Sequence, residues 1–130
     1  MSAVFGYARG HMPEPKTYTG GCHCGAVRYE VTTDLAKVIE CDCSHCAKKG
    51  YLLAFVPAEK FHLLSGRGNL TDYQFNKKRI HHLFCKTCGV ASFGEGSNDK
   101  GESMIAINVR CLDGVDPKTL TIAEFSGKDL

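Results

Sequence analysis

Seven of the eight cysteines stand in three tight groups. They are Cys22-His23-Cys24, Cys41-Asp42-Cys43-Ser44-His45-Cys46 and Cys85-Lys86-Thr87-Cys88, with Cys111 apart. Cysteines one or two residues apart are poorly placed to bond to each other, yet they converge readily on one metal ion. The grouping therefore points to thiolate ligation in a reducing compartment rather than to a secreted disulfide framework. Zinc suits such a set, because it takes four tetrahedral ligands and a structural site draws all four from protein. An iron–sulfur cluster is the weaker alternative, since no standard four-cysteine run is present.

Cys22 and Cys24 supply two ligands, and Cys85 and Cys88 supply two more some sixty residues later. A glycine follows each pair, Gly25 and Gly89, as expected of a knuckle where the chain turns past the metal and aims amides at the sulfurs. Such a site clamps an early strand to a late one. Its binding energy in small zinc modules, about 10–16 kcal/mol, is comparable to the whole stability of a domain.

The middle group differs. Cys41, Cys43 and Cys46 offer three thiolates, and a zinc with three protein ligands and a vacant fourth position is a catalytic or substrate-binding zinc. The alternative is a site closed by Asp42, His45, His81, His82 or Cys111. His45 sits between two ligand cysteines, which directs its side chain away from the metal. Cys111 continues the apolar alternation of Ile105, Ile107 and Val109, which reads as a buried free thiol. Three thiolates leave zinc with a net charge of −1, and a substrate thiolate would make it −2. Lys48 and Lys49 are the nearby cations that could offset this, and His45, titrating near pH 6.5 if unperturbed, could serve the same end or relay a proton.

The elements that must hold these groups read as strands. Extended segments are expected at Thr17–Thr19, Ala26–Val31, Val38–Glu40, Tyr51–Val56 and Phe61–Leu64. The series continues through Leu70–Phe75, Arg79–Phe84, Val90–Phe93, Ser103–Leu112 and Leu120–Phe125. The turn signal Ser65-Gly66-Arg67-Gly68-Asn69 predicts a hairpin joining the fifth segment to the sixth. Helical periodicity is absent apart from a possible turn at Cys43–Lys49. Short strands separated by frequent turns indicate a mainly β domain of small antiparallel sheets with little helix.

Composition narrows the function. With 130 residues, 43% of them apolar but no Trp, the chain makes one domain with a modest core. Residues 1–15 read as a disordered or tag-derived N-terminus, with Gly10-His11-Met12 resembling a cloning scar, and 16–130 as the domain. A formal charge of +2 gives no reason to expect nucleic acid. The local basic patch of Lys77, Lys78 and Arg79 with His81 and His82 reads as a guarded strand edge. No apolar run reaches membrane-spanning length, and no secretory or transit signal precedes the domain, so a cytoplasmic protein is expected.

Taken together, Gly21-Cys22-His23-Cys24-Gly25, Cys41-x-Cys43-Ser44-x-Cys46, Cys85-x-x-Cys88-Gly89 and Ile107-Asn108-Val109-Arg110-Cys111-Leu112-Asp113 closely resemble the glutathione-dependent formaldehyde-activating enzyme family. The centromere protein V-like proteins share the pattern. The resemblance covers Thr17 to Phe125 and implies a zinc-stapled β-tent with two zinc ions per chain. It implies Cys22, Cys24, Cys85 and Cys88 as structural ligands, and Cys41, Cys43 and Cys46 as ligands of a catalytic zinc that glutathione can approach. Many relatives carry an arginine directly after the third middle cysteine. Here Ala47 stands there, followed by Lys48 and Lys49, which lack the planar fork of arginine. The expected activity is that of a carbon–sulfur lyase of the S-(hydroxymethyl)glutathione synthase type. It joins glutathione thiolate to formaldehyde or a similar small aldehyde, with His45, Lys48 and Lys49 assisting. The alternatives are a zinc-stabilised binding module without turnover and a glutathione or adduct carrier.

Overall fold

A computed structural model describes residues 14–41, 44–74 and 80–125. The expectation for residues 1–15 therefore falls almost wholly outside the described chain, as do Lys77, Lys78 and Arg79. The architecture is mainly β. A three-stranded sheet holds β1 (Lys16–Gly21), β2 (Arg28–Thr33) and β5 (Phe61–Ser65) in the order β1-β2-β5. A seven-stranded sheet runs β10-β3-β4-β9-β8-β7-β6. Its strands are β3 (Val38–Cys41), β4 (Leu53–Pro57), β6 (Leu70–Tyr73), β7 (His81–Cys85), β8 (Phe93–Ser97), β9 (Ser103–Asn108) and β10 (Ile122–Phe125). A single short helix among the described residues, α1 (Ser44–Lys49), fills the place of the expected turn. No described helix is long and apolar enough to cross a membrane.

Alternation along the strands builds the core. In β2, Tyr29 and Val31 are buried while Arg28 and Glu30 are half-buried. From the other sheet, Ala54, Val56, Leu83, Phe93, Ile105 and Ile107 face the same interior. Between the sheets the rings of Tyr29, Phe61 and Phe93 meet at centroid separations of 5.1, 5.7 and 4.7 Å, within the range of favourable aromatic pairs. The buried Tyr29 hydroxyl donates to the Ser92 carbonyl at 3.1 Å, which satisfies a group that burial would otherwise penalise.

Four expectations need correction. The predicted hairpin between Phe61–Leu64 and Leu70–Phe75 does not form: β5 pairs with β2 and β6 pairs with β7, in different sheets. Gly66, at φ +95°, lies so close to the Ala26-Val27 backbone that a Cβ there would stand 2.5 Å from the Ala26 carbonyl. The 3-10 turn Arg67–Asn69 then carries the chain across to the second sheet. The strand expected at Val90–Phe93 starts only at Phe93, because Val90 still belongs to the preceding knuckle, its carbonyl accepting from Cys85 N–H. The long strand Ser103–Leu112 stops at Asn108, whose side chain accepts from Arg110 N–H at 3.2 Å and starts a 3-10 turn. Finally, β10 lies parallel to β3, whereas the other described strand pairs are antiparallel.

Candidate metal centre and cleft

Cys22 leaves the end of β1 and Cys24 lies in the β1–β2 connection, while Cys85 ends β7 and Cys88 lies in the β7–β8 connection. The fold brings the two pairs together as expected. The four sulfurs all lie within 4.8 Å of one another, with Cys22 to Cys24 at 3.6 Å and Cys24 to Cys85 at 3.7 Å. A tetrahedron with zinc–sulfur bonds of about 2.3 Å has edges of about 3.8 Å. The cluster thus has the dimensions of a four-thiolate zinc site, and it ties the three-stranded sheet to the seven-stranded one. Gly25 (φ +86°) and Gly89 (φ +81°) adopt the left-handed conformation that the two knuckles require.

The knuckles also set the charge. Val27 N–H donates to Cys22 Sγ at 3.3 Å. Amides of Cys88 and Thr87 pull the Cys85 thiol down to about 6, and those of Val90 and Cys24 hold Cys88 below the usual thiol value. The Ala26 amide pulls the same way on Cys24, but burial and the crowding of Cys22, Cys85 and Cys88 outweigh it and push that thiol up to about 11. The amides thus favour the thiolate at Cys85 and Cys88, while the crowding of sulfurs opposes it at Cys24, a repulsion that a bound cation would relieve. This is the donor set that a divalent soft metal completes. Asn69 adds a side-chain donor, its Nδ2 reaching Cys85 Sγ and Thr87 Oγ1, both at 3.1 Å. The sequence reading missed Asn69, because it took residues 65–69 as a hairpin turn.

Cys41 is buried at the end of β3, packed in a small cluster with Ile39, Tyr51, Leu53 and Ala91, against Phe84 and Ala106. Asp42, Cys43 and the side chain of Cys46 lie outside the described residues. Cys111 stands in a 3-10 turn rather than on a strand face. It is half-buried, and burial, with Cys22 and Cys88 nearby, pushes its thiol up to about 11.

His45, Lys48 and Lys49 line one open cleft of about 470 Å³, and Tyr51, Tyr73, His82 and Phe84 complete its walls. His45 stacks on Tyr73 at 5.5 Å and 21° and meets His82 at 4.2 Å. Lys49 Nζ lies 5.1 Å from the Phe84 ring centre, a cation–π contact. Burial, then Lys49, lowers the His45 pKa. Burial, then His45, pushes His82 down to about 4. The two histidines left open by sequence thus separate: His82 faces the cleft, whereas His81 pairs with Asp72 at 2.7 Å at the exposed end of the strand. The pattern His81-His82-Leu83-Phe84-Cys85 carried this signal. In a strand ending at a core cysteine, His82 and Phe84 must share the opposite face.

A solved structure from Rhodobacter sphaeroides is similar to this chain, with a TM-score of 0.73 and 34% identity over 82% of this chain and 97% of the other. Residues 17–125 match the family model described as glutathione-dependent formaldehyde-activating enzyme. That span takes in all three cysteine groups and every wall of the cleft, and so the chain belongs to the glutathione-dependent formaldehyde-activating enzyme family.

Proposed function

We propose that the protein is a zinc-dependent carbon–sulfur lyase of the S-(hydroxymethyl)glutathione synthase type, acting in the cytoplasm on glutathione and formaldehyde or a similar small aldehyde. The observation that carries this reading is the shared cleft. His45, Lys48 and Lys49 project into one cavity from the helix that follows Cys41, and Cys41 is packed against two of the cavity's other walls, Tyr51 and Phe84. Cys41, Cys43 and Cys46 would hold a second zinc here, in addition to the four-cysteine centre. Its contribution when bound is to make a glutathione sulfur available as thiolate at neutral pH.

The remaining work falls to the protein's side chains. Lys48 and Lys49 bind the carboxylates of the tripeptide and offset the charge of clustered thiolates. His45 is held neutral by burial and by Lys49, so its ring nitrogen accepts the thiol proton and returns it to the aldehyde oxygen. The net change is one new sulfur–carbon bond, one opened carbonyl bond and one proton moved from sulfur to oxygen. The rings of Tyr51, Tyr73, His82 and Phe84 give the reacting atoms a largely apolar wall.

The test is the exchange of formaldehyde with its glutathione adduct, followed by two-dimensional NMR. Zinc-loaded protein accelerates the exchange, Cys43→Ser abolishes the acceleration, and Lys48→Met with Lys49→Met raises the KM for glutathione about tenfold. An exchange rate unchanged by the wild-type protein, or unaffected by Cys43→Ser, sinks the proposal.

A further inference from the structure

Five rings line the cleft, those of His45, Tyr51, Tyr73, His82 and Phe84, and glutathione has no ring to set against them. Its apolar parts are a few methylene groups, and its charged ends suit Lys48 and Lys49. Formaldehyde is scarcely larger than a water molecule, which takes up about 30 Å³, against a cavity of about 470 Å³. Neither partner of the one-carbon reaction brings a ring to this aromatic lining.

A second observation extends the aromatic end. Register places Tyr73 opposite His82, His82 opposite Gly94, Gly94 opposite Ala106 and Ala106 opposite Phe55. Residues directly opposite share a sheet face, so these five residues form one row across β6, β7, β8, β9 and β4. The row is large at its ends and small in its middle, where the sheet presents a glycine and a methyl group. Tyr73 and Phe55, at its two ends, are 49% and 52% exposed. A Cβ at Gly94 would meet only the His81 carbonyl among the described residues, so a planar group seated beside Tyr73 and His82 has room over Gly94, whereas Ala106 beyond it is half-buried against the cluster of Ile39, Cys41, Tyr51, Leu53 and Ala91.

We infer that the carbonyl partner of this site is an aldehyde bearing a planar aromatic group, seated against Tyr73 and His82 and extending over Gly94. This rests on the lyase chemistry proposed above and puts a larger, aromatic aldehyde in place of the small one. The step is unchanged in balance: glutathione sulfur bonds to the aldehyde carbon, the carbonyl π bond opens, and the thiol proton ends on oxygen.

The experiment uses the zinc-loaded full chain with glutathione and, in parallel, formaldehyde and 2-naphthaldehyde, each followed by exchange NMR against the uncatalysed rate. The acceleration is expected to be at least about tenfold greater for 2-naphthaldehyde, the scale on which an apolar pocket discriminates. Tyr73→Ser, a change at a half-exposed residue, lowers that preference about tenfold. Independently of turnover, 2-naphthylmethanol, which cannot react, shifts the His82 ring resonances of the wild-type protein. Equal or smaller acceleration with 2-naphthaldehyde, a preference untouched by Tyr73→Ser, or unmoved His82 resonances overturns the inference. Acceleration of formaldehyde exchange alone leaves the lyase reading standing. Failure with both aldehydes refutes that reading and this inference together.

Discussion

Asn69 is the most direct handle on the four-cysteine centre. Its Nδ2 donates to Cys85 Sγ at 3.1 Å, and the amides of Cys88 and Thr87 pull the thiol of Cys85 down to about 6. Its backbone serves separately: Asn69 N–H donates to the Gly66 carbonyl and its own carbonyl accepts from Lys86 N–H, both at 2.9 Å. Asn69→Ala deletes the side-chain donor and keeps these main-chain bonds. A hydrogen bond to a charged acceptor contributes about 1.5–3 kcal/mol, which at about 1.4 kcal/mol per decade corresponds to a 10- to 150-fold change in affinity. Residues that orient metal ligands are worth about 10- to 100-fold by the same measure. Because Asn69 is partly exposed, the lower end applies, and zinc affinity should fall about tenfold. Asn69→Asp should do worse, as it sets a carboxylate against a thiolate. The assay is competition with a chromophoric chelator in a Cys43→Ser background, so that the four-cysteine centre alone is read. Losing the donor raises the Cys85 pKa, and half-release of zinc should accordingly move to higher pH. Affinity within twofold of the parent in Asn69→Ala would refute this account of the centre.

Three further outcomes are expected. Cys88→Ser, or exhaustive chelation, removes a stabilisation of about 10–16 kcal/mol, comparable to the whole stability of a domain. The chain should then lose its cooperative thermal transition, and a native-like melt without zinc would contradict the structural role. Gly66→Ala forces a Cβ to 2.5 Å from the Ala26 carbonyl at φ +95°, and should cost at least about 2 kcal/mol in urea unfolding; a neutral result would mean that the turn packs differently. His82 titrates at about 4 in the fold, first because of burial, against about 6.5 when unfolded. The unfolded chain therefore binds the proton first, and stability is full above pH 6.5 and declines as pH falls from there towards 4. Between pH 7.5 and 5, His82→Phe should lose stability less steeply than wild type, as read from urea midpoints.

Much of this was legible in the residues because zinc ligation imposes short, countable spacings. The pairing of Cys22 and Cys24 with Cys85 and Cys88 needed nothing beyond ligand number and the two following glycines. Extended segments were legible near β2, β3, β5 and β7, with alternation as the sign at Ala26–Val31. What stayed hidden was set by partners distant in sequence. Ser65 to Asn69 has the chemistry of a hairpin turn, yet Gly66 packs against Ala26 and Val27, and β5 pairs with β2 rather than with β6. Asn108 ends β9 because its side chain caps the next turn and donates to Ala91 O at 3.0 Å, a competition that alternation cannot reveal. The cleft was half visible. His45, Lys48 and Lys49 came from proximity to the middle cysteines, while Tyr51, Tyr73 and Phe84 come from three other places in the chain.

β7 links the two halves of the molecule. Its last four residues alternate between them: Leu83 and Cys85 point into the core and the four-cysteine centre, while His82 and Phe84 point into the cleft. A strand cannot shift by one residue without exchanging its faces, so a metal held at Cys85 would also fix which rings the cleft receives. The same clamp reaches the floor of the ring-bearing row, since β7 sets the register of Gly94 through His82. A weakened four-cysteine centre should therefore be felt as lost cleft geometry before it is felt as unfolding. The Asn69→Ala chain, still folded and saturated with zinc, provides the comparison: its 2-naphthylmethanol shifts should match the wild type when zinc is in excess and fade as zinc is withdrawn. Shifts that persist after the four-cysteine centre is emptied would show that cleft and clamp are independent.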